Sequence, residues 1–418
     1  MLRQSEHKTD AVEASTPVKA TTLSGRPLKP IGFGTMGAVD VYALTLPGEQ
    51  TVQLFTEVLR SGCNVIDTAL IYGDGRAEAW LGRAIKAAGV KREDLFLCTK
   101  GGLFRKNGQF LTNGTEDALS QHCKDSLERL CTNYIDVYYI HRLDEHTDLA
   151  ESLKALVNLQ RKGLVRFIGL SEVTGEIIQK AVAILTRLGS KLNFIQNEYS
   201  LMSRDVEVDG TLQACAQHGI SFVAYSPIGR GLFSSKDKAF FDTLPSSDIR
   251  KAVLPRYQTG QIENNVDRVK TLRSLAEKHE CTTTQLALAW LLERGQQLNV
   301  QMIPIPGTTS VKHFNENMHA QGVFLTLQDR DLLSQAYPLN VFSGIRWPSG
   351  LISSELPAPA PTAQSEQVSS TSPVVSTLYM GNELLASLAP TVGMPATTDV
   401  AIPPPTVTLD PVNPGMHH

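Results

Sequence analysis

The sequence lacks the features typical of membrane, secreted and nucleic-acid-binding proteins. No apolar run approaches the roughly 20 residues that a membrane-spanning helix needs. The first twenty residues have no apolar core of the kind that signal peptides carry. Basic and acidic side chains nearly cancel, at 39 and 42, so no strong cationic field favours nucleic acid. These absences predict a cytoplasmic protein with neither a membrane nor a nucleic-acid partner.

Signatures of metal sites, disulfides and serine hydrolases are missing as well. The six cysteines show no CxxC or CxxH spacing, which favours reduced and mostly buried thiols. The histidines are dispersed, and neither HExxH nor HxxEH occurs, so no metal site is predicted. No GxSxG motif supports a serine nucleophile.

What the chain does contain is an alternation of strand and helix patterns from about residue 31 to residue 322. Amphipathic stretches of helix length occupy 46–62, 77–89, 115–130, 148–163 and 174–189. Eight strands alternating with helices predict an α/β fold with a parallel sheet closed into a (β/α)8 TIM barrel, and an open doubly wound sheet is the alternative. The predicted strands are IGFG (31–34), NVIDTALIYG (64–73), LFLCTKGG (95–102), YIDVYYIHR (134–142), LVRFIGLSE (164–172), NFIQNEYS (193–200), ISFVAYSPI (220–228) and VQMIPIPG (300–307).

Composition divides the chain into three parts. Residues 1–20 are polar and predict a disordered segment, whereas 21–350 form the barrel and begin with a hairpin around Ser24-Gly25. Within the barrel, the insertion at 232–282 is too long for a simple connection, and its segment 248–260 predicts a surface loop across the mouth. The remainder, 351–418, is proline-rich: its part from 356 onward holds 11 of the 22 prolines and no Lys or Arg. This composition predicts a disordered C-terminal tail.

Four proton-bearing or charged side chains lie at the ends of three consecutive predicted strands: Asp67, Tyr72, Lys100 and His141. Successive strands of a parallel barrel end on the same face, which is where barrel enzymes build their active sites. A buried Asp67–Lys100 pair would hold the ammonium in place, and the ammonium would lower the pKa of the Tyr72 phenol toward neutrality. A structural ion pair at the rim is the alternative for Asp67 and Lys100. The four together predict a proton donor for carbonyl chemistry, with His141 orienting the carbonyl group. The alternative is that the neighbouring Arg142, rather than His141, points inward.

A GxGxxG pattern at 32–37 does not indicate a dinucleotide-binding turn of the Rossmann type. That fingerprint requires a helix directly after the glycines, but the chain continues through AVDVYALTL before any helix signal at Pro47. The glycines instead predict a tight bend at the end of the first strand, close to a ligand.

The eighth predicted strand runs into small hydroxylated residues and then into a helix beginning near residue 311. Exposed N–H groups at a helix N-terminus bind anions, and barrels often bind phosphate after strands seven and eight. Simple capping by Thr309 or Ser310 is the alternative.

The strand segments, in order, resemble the aldo-keto reductase superfamily over roughly 21–350, and most of all its longer microbial and plant-type members, including pyridoxal reductase-like ones. Further matching segments are GLVRFIGLSEV, FIQNEYSLMSRD, FVAYSPIGRGLF, TTTQLALAWLL and IPIPGTTSVKHFNEN. The resemblance implies an NADP(H)-dependent oxidoreductase that reduces an aldehyde or ketone, with Tyr72 as general acid. A cofactor-bound regulatory subunit with little turnover is the alternative.

The resemblance also implies where NADPH would bind. Ser171, Glu172 and Gln196 fall at the nicotinamide carboxamide, Tyr225 falls under the nicotinamide ring, and the remaining residues fall along the phosphates and adenosine: Ser226, Ile228, Gly229, Gly231, Gly307, Thr308, Ser310, Lys312, His313, Glu316 and Asn317. Many relatives have an arginine at the position of His313, and Lys312 would partly replace it. The substrate, a small carbonyl compound, would meet loops 36–46, 103–114, 232–260 and 339–352. An apolar pocket is predicted there from Met36, Phe104, Phe110, Phe233 and Trp347, and packing within the loops is the alternative for each of them.

Overall fold

The computed structural model describes residues 21–23, 25–39, 42, 46–107, 109–234 and 237–348. The predictions of disorder for 1–20 and for the tail at 351–418 fall outside these residues. All six cysteines are unpaired, and four of them are buried.

Eight parallel strands form the body of the protein, and neighbours along the chain pair with each other. The backbone N–H groups of Gly32 and Gly34 donate to Pro304 O and Pro306 O at 3.0 and 3.3 Å. These bonds join the first strand to the eighth and close the ring, so the predicted (β/α)8 barrel is confirmed and the open sheet is wrong. The barrel strands are β3 (Phe33–Gly34), β4 (Val65–Asp67), β5 (Phe96–Gly101), β8 (Ile135–Ile140), β9 (Val165–Ser171), β10 (Leu192–Glu198), β11 (Ser221–Tyr225) and β12 (Met302–Pro304).

Two antiparallel hairpins are added to the barrel. The predicted N-terminal hairpin forms from β1 (Thr21–Leu23) and β2 (Arg26–Leu28). A second hairpin, of β6 (Leu103–Lys106) and β7 (Gln109–Thr112), occupies a segment that the sequence predicts as loop.

Helices connect the strands, and the five predicted from amphipathic periodicity are present within a few residues of their expected ends. Ser, Thr or Asp side chains cap several of them, including Thr115 and Asp148, each accepting a backbone N–H. In chain order they are α1 (Gly48–Arg60), α2 (Arg76–Ala88), α3 (Glu116–Arg129), α4 (Leu149–Arg161), α5 (Gly175–Arg187), α6 (Thr211–His218), α7 (Lys238–Asp242), α8 (Ile249–Ala252), α9 (Ile262–Lys278), α10 (Thr283–Gln297), α11 (Val311–His319) and α12 (Leu327–Ala336).

The insertion at 232–282 contains the short helices α7 and α8 and all of α9, which is 17 residues long. The helix α8 lies within the predicted loop at 248–260. Val269, Leu272 and Leu275 of α9 are buried in the main core. An apolar stripe at helical spacing therefore makes the second half of the insertion part of the barrel's outer layer.

The interior of the barrel is filled by one apolar cluster. Val65, Phe96, Cys98, Val137, Tyr139 and Phe194 belong to it, and Leu28 of the hairpin joins them. These strand residues recur at every second position, as expected for side chains on one face of a strand. A Cβ at Gly34 would lie 2.8 Å from Ile305 O, so a glycine is required where the first and last strands close the ring.

Candidate active site at the barrel mouth

Every second residue of a barrel strand faces the interior, and at the carboxyl ends of the strands these inward-facing positions carry polar side chains. Asp67 follows Val65, Lys100 follows Cys98 and His141 follows Tyr139, each two residues further along its strand. All three are buried, with Lys100 fully enclosed. The carboxyl ends of the strands thus bring these predicted residues to one mouth, whereas Tyr72 reaches the same place from the turn after β4.

Lys100 is the centre of this group. Its Nζ donates to Asp67 Oδ1 at 2.5 Å, to Thr68 O at 2.8 Å and to the Tyr72 hydroxyl at 3.3 Å. Burial disfavours the ammonium charge, but the adjoining Asp67 carboxylate raises the pKa of Lys100 above its ordinary value. Lys100 is therefore held as a cation with its three donors directed, as the sequence predicted.

The pKa of Tyr72 shifts in the direction opposite to the prediction. Burial raises it, and although Lys100 lowers it, the ammonium does not offset the burial and the Asp67 charge. The predicted phenol with a pKa lowered toward neutrality is thus wrong for the protein without ligands. Tyr72 keeps its proton at neutral pH, which a general acid requires.

His141 faces Tyr72 edge to face, with 5.8 Å between the ring centroids. Burial, together with the positive charges of Lys100 and Arg142, holds the pKa of His141 well below its usual value. Its buried Nδ1 has no hydrogen-bond partner among the described residues. The imidazole is therefore neutral and has a nitrogen free for a ligand.

Gln196 belongs to the same group. Its side-chain amide donates to Asp67 Oδ2 at 2.7 Å, so Asp67 is held from one side by Lys100 and from the other by Gln196. Ser171, at the end of the neighbouring strand, is also buried. Two of the three residues predicted for the carboxamide thus lie at the mouth, with part of the Gln196 amide already engaged.

Glu172 is engaged differently from the prediction. Both of its carboxylate oxygens accept from Arg346, at 3.1 and 2.8 Å, and Arg142 Nη1 lies 3.4 Å from Oε2. Because these ion pairs occupy the carboxylate, its oxygens are not free to hold the carboxamide. Its φ of 56° shows that the chain turns sharply there.

A second ion pair at the mouth was not predicted. Glu198 Oε2 accepts from Arg230 Nη2 at 3.1 Å, and both side chains are buried. Arg230 lies between the predicted residues Gly229 and Gly231 and has a φ of 46°. Two features of the sequence correspond to this pair. Glu198 is the acidic residue that ends the strand NFIQNE, and Arg230 lies inside a turn.

A cavity of about 660 Å³ opens at the mouth beside Tyr72, which is within the range of roughly 300–1,000 Å³ typical of small-molecule sites. It extends from the reacting end, at Asp67 and Tyr72, along the chain after β11 and on to the start of α11. Of the predicted residues, it is lined by Asp67, Tyr72, Tyr225, Ser226, Ile228, Gly231, Gly307, Thr308, His313, Glu316 and Asn317. Its shape suits an extended ligand.

The remaining predicted cofactor residues, Gly229, Ser310 and Lys312, are not among those lining the cavity. The Ser310 hydroxyl accepts from the His313 N–H and so caps α11, and Lys312 is exposed. Capping, the alternative weighed for this segment, is therefore present. It leaves the adjoining Thr308 and His313 on the cavity wall.

The predicted apolar pocket is wrong in part. Met36 lines the cavity, but Phe233 is fully buried and packs against Phe342 in the core. Several other lining residues are polar or charged, among them Tyr42, Arg230, Asp237 and Arg250. The loop residues therefore provide charge where the sequence suggested apolar contact.

Neither a membrane-spanning helix nor a cluster of potential metal ligands occurs within the part of the chain that the structure describes.

Comparison with known proteins agrees with this architecture. A profile of the aldo/keto reductase family matches residues 30–336. A probable aldo-keto reductase of Glycine max is 33% identical over 336 residues, covering 80% of this chain and 92% of the relative.

Solved structures give the same result. A thermostable aldo-keto reductase, determined with the inhibitor epalrestat, has a TM-score of 0.58 at 27% identity, covering 77% of this chain and 99% of its own. A glycerol dehydrogenase of Gluconobacter oxydans has a TM-score of 0.65 at 26% identity, covering 77% and 96%.

Proposed function

The chain belongs to the aldo/keto reductase family, whose members are oxidoreductases that act on small carbonyl compounds with a nicotinamide cofactor, and we propose that this protein uses NADPH to reduce an aldehyde or ketone to an alcohol. The observation that carries the proposal is the hydrogen-bonded series Asp67–Lys100–Tyr72, which ends on the wall of a cavity beside a neutral His141. A structural ion pair alone would need neither the tyrosine nor the cavity.

The cavity fits a dinucleotide. Tyr225 offers an aromatic face near the reacting end, and Ser226–Gly231 and Gly307–Thr308 supply backbone and small side chains along the middle. A Cβ at Gly307 would lie 2.8 Å from Gly34 O, so only a glycine leaves the chain in this close position. Ser171 and Gln196 would hold the carboxamide, and His313, Glu316 and Asn317 the adenosine end.

The protein's own groups would act on the carbonyl oxygen. Bound NADPH supplies the hydride that the carbonyl carbon accepts. His141 would hold the carbonyl oxygen, and Tyr72 would give its proton to that oxygen as negative charge develops there. Lys100, at 3.3 Å from the phenol, stabilises the tyrosinate left behind until solvent returns the proton.

A turnover assay tests the proposal. Purified full-length protein is given NADPH and para-nitrobenzaldehyde, and the loss of NADPH absorbance and the formation of the alcohol are followed. We expect one alcohol per NADPH oxidised. Tight NADPH binding with no alcohol formed, across a panel of aldehydes and ketones, would instead favour a cofactor-bound regulatory subunit.

A further inference from the structure

Arg142 is a partly buried residue close to the reacting end of the cavity, next to residues that line it but not one of them. It directly follows His141, whose ring faces Tyr72 at 5.8 Å. Burial lowers the pKa of Arg142, and the hydroxyls of Tyr225 and Tyr72 act on it in the opposite sense. Its guanidinium is therefore beside the two tyrosines that line this part of the cavity.

The charge of Arg142 is only partly matched. Its Nη1 is buried and has no hydrogen-bond acceptor in the described part of the chain, with Glu172 Oε2 at 3.4 Å as its ion-pair partner. A guanidinium carries five N–H donors in a planar fork and cannot lose its charge at working pH. Arg142 therefore has donors to give to a ligand.

Glu172 cannot satisfy these donors, because other groups already use its oxygens. Arg346 donates to both, and the backbone N–H of Glu198 donates to Oε1 at 3.1 Å. The next carboxylate, Glu198, accepts from Arg230 and from the Ser203 hydroxyl. The carboxylates of Glu172 and Glu198 thus accept their hydrogen bonds from partners other than Arg142.

A second donor in the same region also has no partner. Trp347, whose ring stacks on Arg230 with 4.8 Å from the guanidinium carbon to the ring centroid, has a buried Nε1 with no acceptor among the described residues. Arg230 itself lines the cavity. Two buried nitrogen donors of this region, Arg142 Nη1 and Trp347 Nε1, therefore make no hydrogen bond among the described residues, and neither does the Tyr225 hydroxyl.

We propose that the substrate is a carbonyl compound that carries a carboxylate, and that Arg142 binds this carboxylate while Tyr72 faces the carbonyl oxygen. A carboxylate supplies two acceptor oxygens in a plane that matches the guanidinium fork. The inference rests on the proposed reductase activity. The cofactor phosphates do not fill this role, because the residues assigned to them lie along 226–231 and 307–317.

Matched substrates test the inference. The acids meta- and para-carboxybenzaldehyde are compared with their neutral methyl esters, and kcat/KM is measured for each with NADPH. We expect the wild type to prefer at least one acid over its ester by about tenfold or more, as a charge-assisted bidentate contact allows. Benzoate should inhibit ester reduction competitively with the aldehyde.

Variants of Arg142 test whether this residue causes the preference for the acids over the esters. Arg142→Met should bring the acid-to-ester ratio close to one, and Arg142→Lys should retain part of it because it keeps the charge without the fork. Arg83→Met, which removes an exposed arginine of α2 that pairs with Glu49, controls for the change in net charge and should leave the ratio as in the wild type. The NADPH dissociation constant of each variant shows whether it is folded and whether the cofactor contact is intact.

Each outcome decides between the claims. A wild type that reduces the esters without preferring either acid, and without inhibition by benzoate, overturns this inference alone. The inference is also overturned if Arg142→Met keeps the preference for the acid over the ester. It is overturned as well if Arg142→Met weakens the binding of NADPH as strongly as the binding of the acid. A wild type that reduces neither acids nor esters, nor any other carbonyl compound, overturns the proposed function itself.

Discussion

A buried carboxylate lies at each rim of the barrel, and the two carboxylates differ in their partners. At the lower rim, Asp136 is fully enclosed and is contacted by Arg26, Arg92 and Arg166. Its Oδ2 also accepts the Leu97 N–H at 3.1 Å. At the mouth, Asp67 holds one ammonium that in turn reaches the Tyr72 hydroxyl on the cavity wall.

Arg92 of the lower rim has several further partners of its own. Arg92 donates to Thr132 Oγ1, Leu95 O and Tyr134 O, and it stacks on the Tyr134 ring from 3.9 Å, with Arg166 over the same ring at 3.8 Å. The mouth, by contrast, leaves His141 Nδ1, Arg142 Nη1 and Trp347 Nε1 without a hydrogen bond among the described residues, although Arg142 Nη1 has Glu172 as an ion-pair partner. Buried polar groups without hydrogen bonds are costly, so we expect a ligand to supply the missing partners at the mouth. The lower rim, whose buried carboxylate is fully paired, instead stabilises the fold.

The largest expected effect is at Tyr72. Tyr72→Phe removes the proton donor, so kcat should fall by roughly 10²–10⁴-fold, the usual contribution of general acid catalysis. The NADPH dissociation constant, measured by quenching of protein fluorescence, should change little, because the lost group acts in the transition state. Tyr134→Phe makes the same change at the lower rim and should leave kcat unaltered. Near-normal turnover of Tyr72→Phe would show that another group protonates the product.

The lower rim should respond in stability instead. Asp136→Ala leaves three arginines without their shared carboxylate, and breaking a buried ion pair in this way costs about 3–5 kcal/mol. Urea denaturation should show a much lower midpoint, whereas kcat per folded molecule stays close to the wild-type value. A loss below about 1 kcal/mol, or a loss of kcat in the folded variant, would show that the two rims do not divide their roles in this way.

The neutral state of His141 predicts a pH dependence of stability. The unfolded imidazole has a pKa near 6.5 and takes up a proton below that pH, whereas the pKa of folded His141 is well below it. The folded state therefore loses stability relative to a His141→Gln variant as the pH falls from about 7 to about 5. The relative loss is at most about 2 kcal/mol, since each pH unit contributes about 1.4 kcal/mol.

This difference is measured by urea denaturation of both proteins at the two pH values. The remaining histidines are common to the two and cancel. An equal pH dependence in both proteins would mean that His141 has the same pKa in the folded and the unfolded protein, and that burial does not keep the folded imidazole neutral.

The smallest effect is expected at the far end of the cavity, where side chains are exposed. Lys312→Ala should weaken NADPH binding by no more than about fivefold and leave NADH binding unchanged, because an exposed ion pair contributes at most about 1 kcal/mol. His313→Arg should strengthen NADPH binding, since a guanidinium is always charged and grips phosphate with two donors. Fluorescence quenching gives both constants. Equal weakening of both cofactors by Lys312→Ala would place the discrimination elsewhere.

The repetitive part of the fold followed from the sequence. Apolar residues at every second position of a strand, and at helical spacing between strands, predicted the eight-stranded barrel, because these patterns depend on neighbours only a few residues apart. The same period of two placed Asp67, Lys100 and His141 at the mouth, since each continues the inward-facing series of its own strand. That part of the candidate site needed no knowledge of which strands meet.

The partners and the solvation of the site residues depend on the tertiary structure of the closed barrel. Glu172 and Arg346 are 174 positions apart, and they meet only because the segment after α12 returns to the mouth. The second half of the insertion at 232–282 forms α9, whose apolar stripe packs in the core. The pKa of Tyr72 is raised because packing removes water from the phenol. Local pattern determines which way a side chain faces, whereas its partners and its solvation depend on chain segments brought together only when the barrel closes.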